Sequence, residues 1–409
     1  MSVAIFMLSS SLHNEEAVVR TTREYLNSLD VEYAFHGSDF KQYGESALNL
    51  IYVSTGGTEA AFLRLLPRLL ESESPIYLLT SGKSNSLAAS AEILSYLRQH
   101  NVKGEILHGS AEYVSRRIHL LEKTETARKW LRNARLGVMG RPSDWLISSG
   151  VDYETVRQRL GVALVDIPME EVKAELDRQP EPDAGKLAEL SSHIAPLSAD
   201  DTPGIEHSMA GALQMYTALK AIVKHHDLQG FTIRCFDLLT AVQNTGCTAL
   251  ALLNAEGYVA GCEGDIPTAL SMLTARSLLG ISGFQANPAH INPETGEMLF
   301  AHCTIPLDMV DRFELDTHFE SGIGIGIRGY MQTGPVTIFK LAGDLSRLFV
   351  AEGELIACQG KPDLCRTQQQ IRLADPSDTN YFLSNPIGNH HVILPGHHKE
   401  LIEAMFLSE

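Results

Sequence analysis

The stretch Gly261-Cys262-Glu263-Gly264-Asp265-Ile266 sets two carboxylates two residues apart at the end of an apolar run. Two acids so placed can hold a divalent cation once an imidazole joins them. The residues before them, Thr248 to Ala260, are rich in Ala, Leu, Val and Tyr and are broken by Asn254, Glu256 and Gly257. That pattern reads as two short strands around a turn. Pro267 to Leu273 then opens a helical run, with Leu270, Leu273, Leu278 and Leu279 available for one apolar stripe. Glu263 and Asp265 are therefore expected at a strand-to-helix junction, where ligands bind α/β sheets. If the strand lasts that far, both side chains share a face. The ordinary alternative is that Asp265 only caps the helix and Glu263 is a solvated turn residue.

The imidazole can come from Gly388-Asn389-His390-His391-Val392-Ile393-Leu394. In a strand His390 and His391 point to opposite faces, so at most one reaches a shared site. His397 and His398 follow Gly396 in a turn-like context and read as surface residues. His302, in Ala301-His302-Cys303-Thr304, ends a strand and could be a ligand, a substrate contact or a core histidine. Upstream, Arg234-Cys235-Phe236-Asp237 places a further acid at a strand end. Three acids on one sheet edge repel one another unless a cation neutralises them. Oxygen ligands with one imidazole favour Mn²⁺, with Co²⁺ or Mg²⁺ as alternatives, over a structural zinc.

Two glycine-rich stretches imitate nucleotide loops. Ser321 to Gly329 is followed by a turn and a strand, whereas a dinucleotide fingerprint opens a helix. Ser54-Thr55-Gly56-Gly57-Thr58-Glu59 does lie between a strand and a helix but lacks the lysine and spacing of a phosphate loop, so it reads as an ordinary turn.

The elements that must position these residues fall into three groups. Val3 to Leu8, Leu48 to Val53, Ile76 to Leu79 and Glu105 to Leu107 alternate with amphipathic segments, the rhythm of a parallel sheet covered by helices. A second α/β unit opens at Arg135 to Gly140, with later strands at Val162 to Ile167 and Phe231 to Phe236 and a long helix from about Gly204 to His226. After about Gly280 short β-rich pieces with Gly, Pro and Asp turns take over, at Met298 to Cys303, Arg312 to Phe319, Val336 to Leu341, Arg347 to Val350 and Glu354 to Gln359. The expected architecture is two Rossmann-like α/β domains, 1–134 and 135–280, followed by a C-terminal antiparallel β-barrel-like domain, 281–409.

Composition narrows the function classes. In 409 residues, 33 basic and 50 acidic side chains leave a formal charge of -17, which argues against nucleic acid as a partner. No apolar run reaches the ~20 residues of a membrane span, and the first residues lack the basic flank of a signal peptide, so a cytoplasmic protein with no membrane partner is expected. Six cysteines without a Cys-x-x-Cys pair read as free thiols.

Taken together, Cys262-Glu263-Gly264-Asp265 with Thr268-Ala269-Leu270, then Leu299-Phe300-Ala301-His302, then Gly388-Asn389-His390-His391-Val392, resemble the L-fucose isomerase and L-arabinose isomerase superfamily of metal-dependent aldose–ketose isomerases, in particular its shorter members. The resemblance covers 234 to 392. It implies a homo-oligomer acting on a free, non-nucleotide monosaccharide. The arabinose pattern makes Glu263 a metal ligand and has a histidine resembling His302, but its second glutamate has no counterpart in Gly283-Phe284-Gln285-Ala286-Asn287-Pro288. The fucose pattern implies Asp237 and Asp265 as ligands, and both patterns use a histidine near the C-terminus, for which His391 is the better match. On the fucose pattern the metal is held by Asp237, Asp265 and His391, with His302 near the substrate. Glu263 stays open between ligand and catalytic base.

Isomerisation through an enediol moves a proton between C1 and C2 of the open-chain sugar, a step that needs a Lewis acid and a carboxylate. Rival readings are a non-catalytic carbohydrate sensor, since paired α/β domains also clasp sugars, and a metal-dependent sugar epimerase or aldolase. If the substrate carries a charged substituent, Arg141, Arg234 and Arg328 are its candidate partners.

Overall fold

Val3-Ala4-Ile5-Phe6-Met7-Leu8 contains no polar residue, so a strand made of it must be covered on both faces. The computed structural model, which describes residues 2–10, 15–72, 74–194 and 202–406, shows it so. The chain forms two compact units, one of 1–129 with 400–409 and one of 130–399. In the first, β1 (Val3–Leu8), β2 (Ala34–Gly37), β3 (Leu48–Val53), β4 (Ile76–Leu79) and β5 (Gly104–Leu107) make a parallel sheet in the order β2-β1-β3-β4-β5. Val3, Ile5 and Met7 pack with Leu48, Leu50 and Tyr52 on one face. Ala4, Phe6 and Leu8 pack with Ile51 and Val53 on the other, against Phe62, Ile93 and Leu97 of the helices Glu59–Leu70 and Ser86–Gln99. The period of two along each strand thus feeds two separate cores.

The second unit holds a four-stranded parallel sheet, β7-β6-β8-β9, built from β6 (Arg135–Met139), β7 (Ala163–Ile167), β8 (Gly230–Ile233) and β9 (Val259–Gly261). It also holds a closed antiparallel barrel. The barrel strands are β10 (Phe284–Asn292), β11 (Glu297–His302), β14 (Gly334–Leu341), β15 (Leu348–Cys358), β16 (Thr367–Leu373) and β17 (His391–Pro395), in the order β10-β11-β16-β15-β14-β17. β12 (Arg312–Thr317) and β13 (Ile325–Tyr330) pair beside it. Alternate barrel residues, among them Met298, Phe300, Val336, Ile338, Phe349, Ala351, Ile371 and Ile393, fill one core. Two α/β layers and an antiparallel barrel are the expected fold class. No helix among the described residues is long and apolar enough to cross a membrane.

Four local readings are corrected. Cys247–Ala255 is a helix, not a strand. Its Ala and Leu residues are strong helix formers, and burial on nearly all sides erases the amphipathic stripe that would have shown it. β9 consequently spans only three residues and stops before Cys262. Ala351-Glu352-Gly353, left between two expected strands, lies inside the single strand β15. Gly353 is needed there because a Cβ would come 2.5 Å from the Arg372 carbonyl oxygen on the neighbouring strand. Finally, β2, β10, β13 and β16 are strands that the sequence pattern did not reveal; β13 contains Gly326 and Gly329 of the false nucleotide loop.

Candidate metal centre

Because β9 ends at Gly261, Glu263 and Asp265 sit in a tight turn rather than on a strand. Glu263 (φ 63°) and Gly264 (φ 70°) both adopt left-handed backbone, and Asp265 N donates to the Cys262 carbonyl at 3.2 Å, the pattern of a type I′ turn. Gly264 is required: a Cβ would lie 2.4 Å from the Arg141 carbonyl oxygen. A glutamate with positive φ is strained, and the surroundings hold it. Ser143 N donates to the Glu263 carbonyl at 2.9 Å, and Gly264 N donates to Ile233 O at 2.9 Å. Gln285 grips Cys262 from both sides, accepting from its N–H at 2.9 Å and donating to its carbonyl at 3.3 Å.

Asp265 does cap the helix Ile266–Leu279, accepting from Thr268 N at 2.9 Å and from Thr268 Oγ1 at 2.7 Å. The cap and the site prove to be the same residue. Asp265 is 1 % exposed, and two further groups use its charge. Lys340 Nζ of β14, itself fully buried, lies 3.3 Å from Oδ2 and also bonds Thr268 Oγ1. His390 Nδ1 donates to Oδ2 at 2.8 Å. Burial would raise the Asp265 carboxyl, but the Lys340 ammonium and His390 hold it well below the usual carboxylate range. An ionised carboxylate only accepts, so His390 carries its proton on Nδ1.

His390 Nε2 then faces the interior of the site. Among the described residues it has no hydrogen bond of regular geometry, and it lies 3.4 Å from Glu263 Oε1. His302, at the end of β11, brings its Nε2 to 3.5 Å from the same oxygen, while its Nδ1 lies 3.0 Å from Thr304 Oγ1. The other Glu263 oxygen accepts from Trp145 Nε1 at 2.6 Å. One atom each of Glu263, His302 and His390 therefore lie within 4.8 Å of one another, all buried.

Electrostatically the cluster seeks a cation. Burial opposes ionisation of Glu263, yet His390 and His302 drive its carboxyl far below the ordinary range. Burial alone would lower His390, but Glu263 and Asp265 raise it to about 9, whereas His302 stays low because burial outweighs Glu263. The donor geometry fits a metal equally well. Two atoms each about 2.1 Å from one ion are about 3–3.5 Å apart, the spacing of Oε1 from the two imidazole nitrogens. A carboxylate holding the far nitrogen of a ligating histidine is the usual outer support of such a site.

The structure thus brings Glu263, Asp265 and His302 together and leaves two of the expected ligands, His391 and Asp237, outside the cluster. His391 is turned away: Tyr381 Oη meets its Nε2 at 2.9 Å, it packs on Phe349 and Phe382, and burial pushes it down to about 3. It shares a face with Ile393 of the barrel core, so its neighbour His390 takes the other face and meets Asp265. Asp237 does not join the cluster; its side chain is 42 % exposed and pairs with Arg234 Nε at 2.9 Å. It lies in the helix Phe236–Val242, past the end of β8. Asp265 itself supports His390 and has its remaining lone pairs engaged. Lys340, Trp145 and Gln285 were missed. A lone lysine inside Val336-Thr337-Ile338-Phe339-Lys340-Leu341 was a usable signal; Trp145 and Gln285 offered none.

Beside the cluster opens a cavity whose walls include Phe236, Thr245, Asn287, His318 and Glu320. Burial, with His302 and Arg366 nearby, pushes His318 down to about 4, and burial with Glu263 pushes Glu320 up. Arg141 and Arg234 are paired with Asp144, and Arg328 with Asp316, so their charges are already engaged.

No protein-family model matches the chain. Among characterised proteins it is 24% identical over 311 residues to the sulfoquinovose isomerase of Priestia aryabhattai, covering 73% of this chain and 68% of that one. The enzyme of the same name from Priestia megaterium matches equally. A third, from a Clostridium species, is 22% identical over 230 residues, 56% of this chain and 49% of that one. The chain is similar to sugar isomerases.

Proposed function

We propose that the protein is a metal-dependent aldose–ketose isomerase that acts on a free monosaccharide through an enediol. The observation that carries this reading is the buried His390 Nε2, without a regular hydrogen bond, aimed at Glu263 Oε1 beside His302 while Asp265 fixes the opposite nitrogen. Similarity to sugar isomerases supplies the reaction class. Glu263, His302 and His390 are the residues that would hold the metal. Two imidazoles and one carboxylate suit a divalent transition ion, with Mn²⁺ and Co²⁺ ahead of Mg²⁺. When bound, such an ion polarises the adjacent oxygens of the open-chain sugar and makes the C–H between them acidic.

The chain's own residues do the rest. Glu263 is held at Oε2 by Trp145, which leaves Oε1 for the cation. Asp265 holds the Nδ1 proton of His390, so that Nε2 is the nitrogen that would give up its proton and offer a lone pair to a metal, and Lys340 keeps Asp265 ionised. Glu320, a cavity-wall carboxylate that burial makes a stronger base, is placed to take the proton from one sugar carbon and return it to the next. His318, neutral and held through Nδ1 by Ser321 Oγ at 2.9 Å, is the matching polar group for a sugar hydroxyl.

The test is a screen of free aldoses, with sulfoquinovose included, against protein loaded with Mn²⁺ or Co²⁺, followed by isomerisation in deuterated water. The reading expects ketose product with deuterium at C1 or C2, lost in His390→Gln. Label at another carbon indicates an epimerase or aldolase. Sugar binding without turnover, unchanged in His390→Gln, indicates a sensor; either result refutes the isomerase.

A further inference from the structure

Of the six cysteines, Cys235, Cys247, Cys262, Cys303 and Cys365 line the cavity beside the metal cluster. Two of these adjoin proposed ligands in sequence: Cys262 precedes Glu263 and Cys303 follows His302. Buried free thiols ordinarily pack as small apolar groups and stay inert. These differ because they meet in pairs on a wall open to small solutes. Cys235 Sγ and Cys262 Sγ are 2.9 Å apart, and Cys365 is the neighbour that most lowers the Cys303 thiol. The first distance is inside the ~3.5 Å at which heavy atoms make their best dispersion contact. It exceeds the ~2.05 Å of a disulfide bond by less than 1 Å.

The backbone around this pair is held at both ends. Cys235 N donates to Ile233 O at 2.8 Å at the end of β8, and Cys262 is clamped by Gln285 just past β9. β8 and β9 are adjacent parallel strands, with Thr232 opposite Gly261. The two thiols therefore stay at bonding reach through the sheet itself, with no loop to close.

We propose that Cys235 and Cys262 form an oxidation site on the cavity wall, a dithiol that a hydroperoxide converts to a reversible disulfide. One thiolate attacks the peroxide, the O–O bond breaks, and a sulfenic acid forms with release of water (from hydrogen peroxide) or an alcohol. The second thiol attacks that sulfur, the S–S bond forms, the S–O bond breaks, and a water leaves. Two electrons pass from the two thiols to the peroxide. The new bond ties Cys235, just before the wall helix that carries Phe236 and Leu239, to the residue that starts the Glu263 turn. A small reactive carbonyl sugar and a small peroxide would reach the same cavity, so a bound sugar shields the pair. The thiol site stands apart from the isomerase reading; only the shielding rests on it.

The experiment treats the full-length wild-type protein with graded hydrogen peroxide, blocks remaining thiols with an alkylating agent, and maps peptides without reduction. A peptide pair linked through Cys235 and Cys262, removed by dithiothreitol, is the expected product. Cys365→Ser should leave its yield unchanged and Cys235→Ser should lower it at least tenfold. The wild-type map alone decides if Cys235→Ser does not fold. Full alkylation of both residues after peroxide, oxidation to isolated sulfinic acids, or a link from Cys262 to a different cysteine overturns the proposal. Failure of a sugar panel to protect an otherwise confirmed disulfide counts against the isomerase reading and leaves the thiol site standing.

Discussion

Asp265→Asn separates the two jobs that one carboxylate performs. The amide oxygen can keep the cap on Thr268 N, now 2.9 Å from Oδ1. The amide NH₂ replaces Oδ2, which faces His390 Nδ1 at 2.8 Å and Lys340 Nζ at 3.3 Å, so donors oppose donors. Lys340 then loses its ionic partner in a fully buried position. Breaking one side of a buried pair costs about 3–5 kcal/mol. At about 2 °C per kcal/mol for a unit of this size, Tm should fall by about 6–10 °C. His390, without its acceptor, is free to take the tautomer with the proton on Nε2. Loss of such outer support lowers metal affinity by about 10- to 100-fold. Calorimetric titration with Mn²⁺ and thermal denaturation read the two effects separately. Adding Lys340→Met removes the stranded cation and should return roughly half of the Tm loss without restoring metal affinity. Metal affinity within twofold of wild type, or a Tm drop under about 2 °C, would refute the arrangement of Lys340, Asp265 and His390.

His390→Gln should abolish tight Mn²⁺ binding, whereas His391→Phe should bind as wild type and lose only about 1 kcal/mol for the Tyr381 hydrogen bond; titration of the two variants side by side checks which histidine faces the metal. Glu263→Gln keeps an acceptor for Trp145 and should fold with a Tm near wild type, but lose bound metal by elemental analysis. Gly264→Ala should cost about 2–4 kcal/mol from positive φ and the clash with the Arg141 carbonyl, read as a lower urea midpoint. Asp237→Asn should change stability by about 0.5 kcal/mol or less and leave metal affinity unchanged, because its carboxylate is exposed and Arg234 keeps Asp144 as a partner.

Much of the scaffold could be read from local pattern. Strands such as Val3–Leu8 and Ile76–Leu79 match their apolar runs to the residue, because strands buried on both faces have nothing polar to blur their ends. The helix Cys247–Ala255 failed for the converse reason, burial all round, which removes periodicity. In the barrel, Thr367–Leu373 carries three glutamines in a row, and only partners on β11 and β15 make it a strand.

At the site, local sequence determined which chemistry was available: two acids flanking Gly264, a histidine ending an apolar strand, and a histidine pair before another. It also determined that Asp265 could cap, since a cap needs only the next three residues. Tertiary structure decided the roles. His390 and His391 are equivalent in sequence, and pairing of β17 with β10 and β14 turns one to Asp265 and the other to an aromatic core. Asp237 looked like a third acid until Arg234 claimed it. Lys340, Trp145 and Gln285 come from elements tens of residues away, and they act on Glu263 and Asp265 only because the barrel and the sheet close around one turn. Hydrogen bonds and metal ligation act only over a few ångströms, so which groups share that space is a property of the fold and not of spacing along the chain.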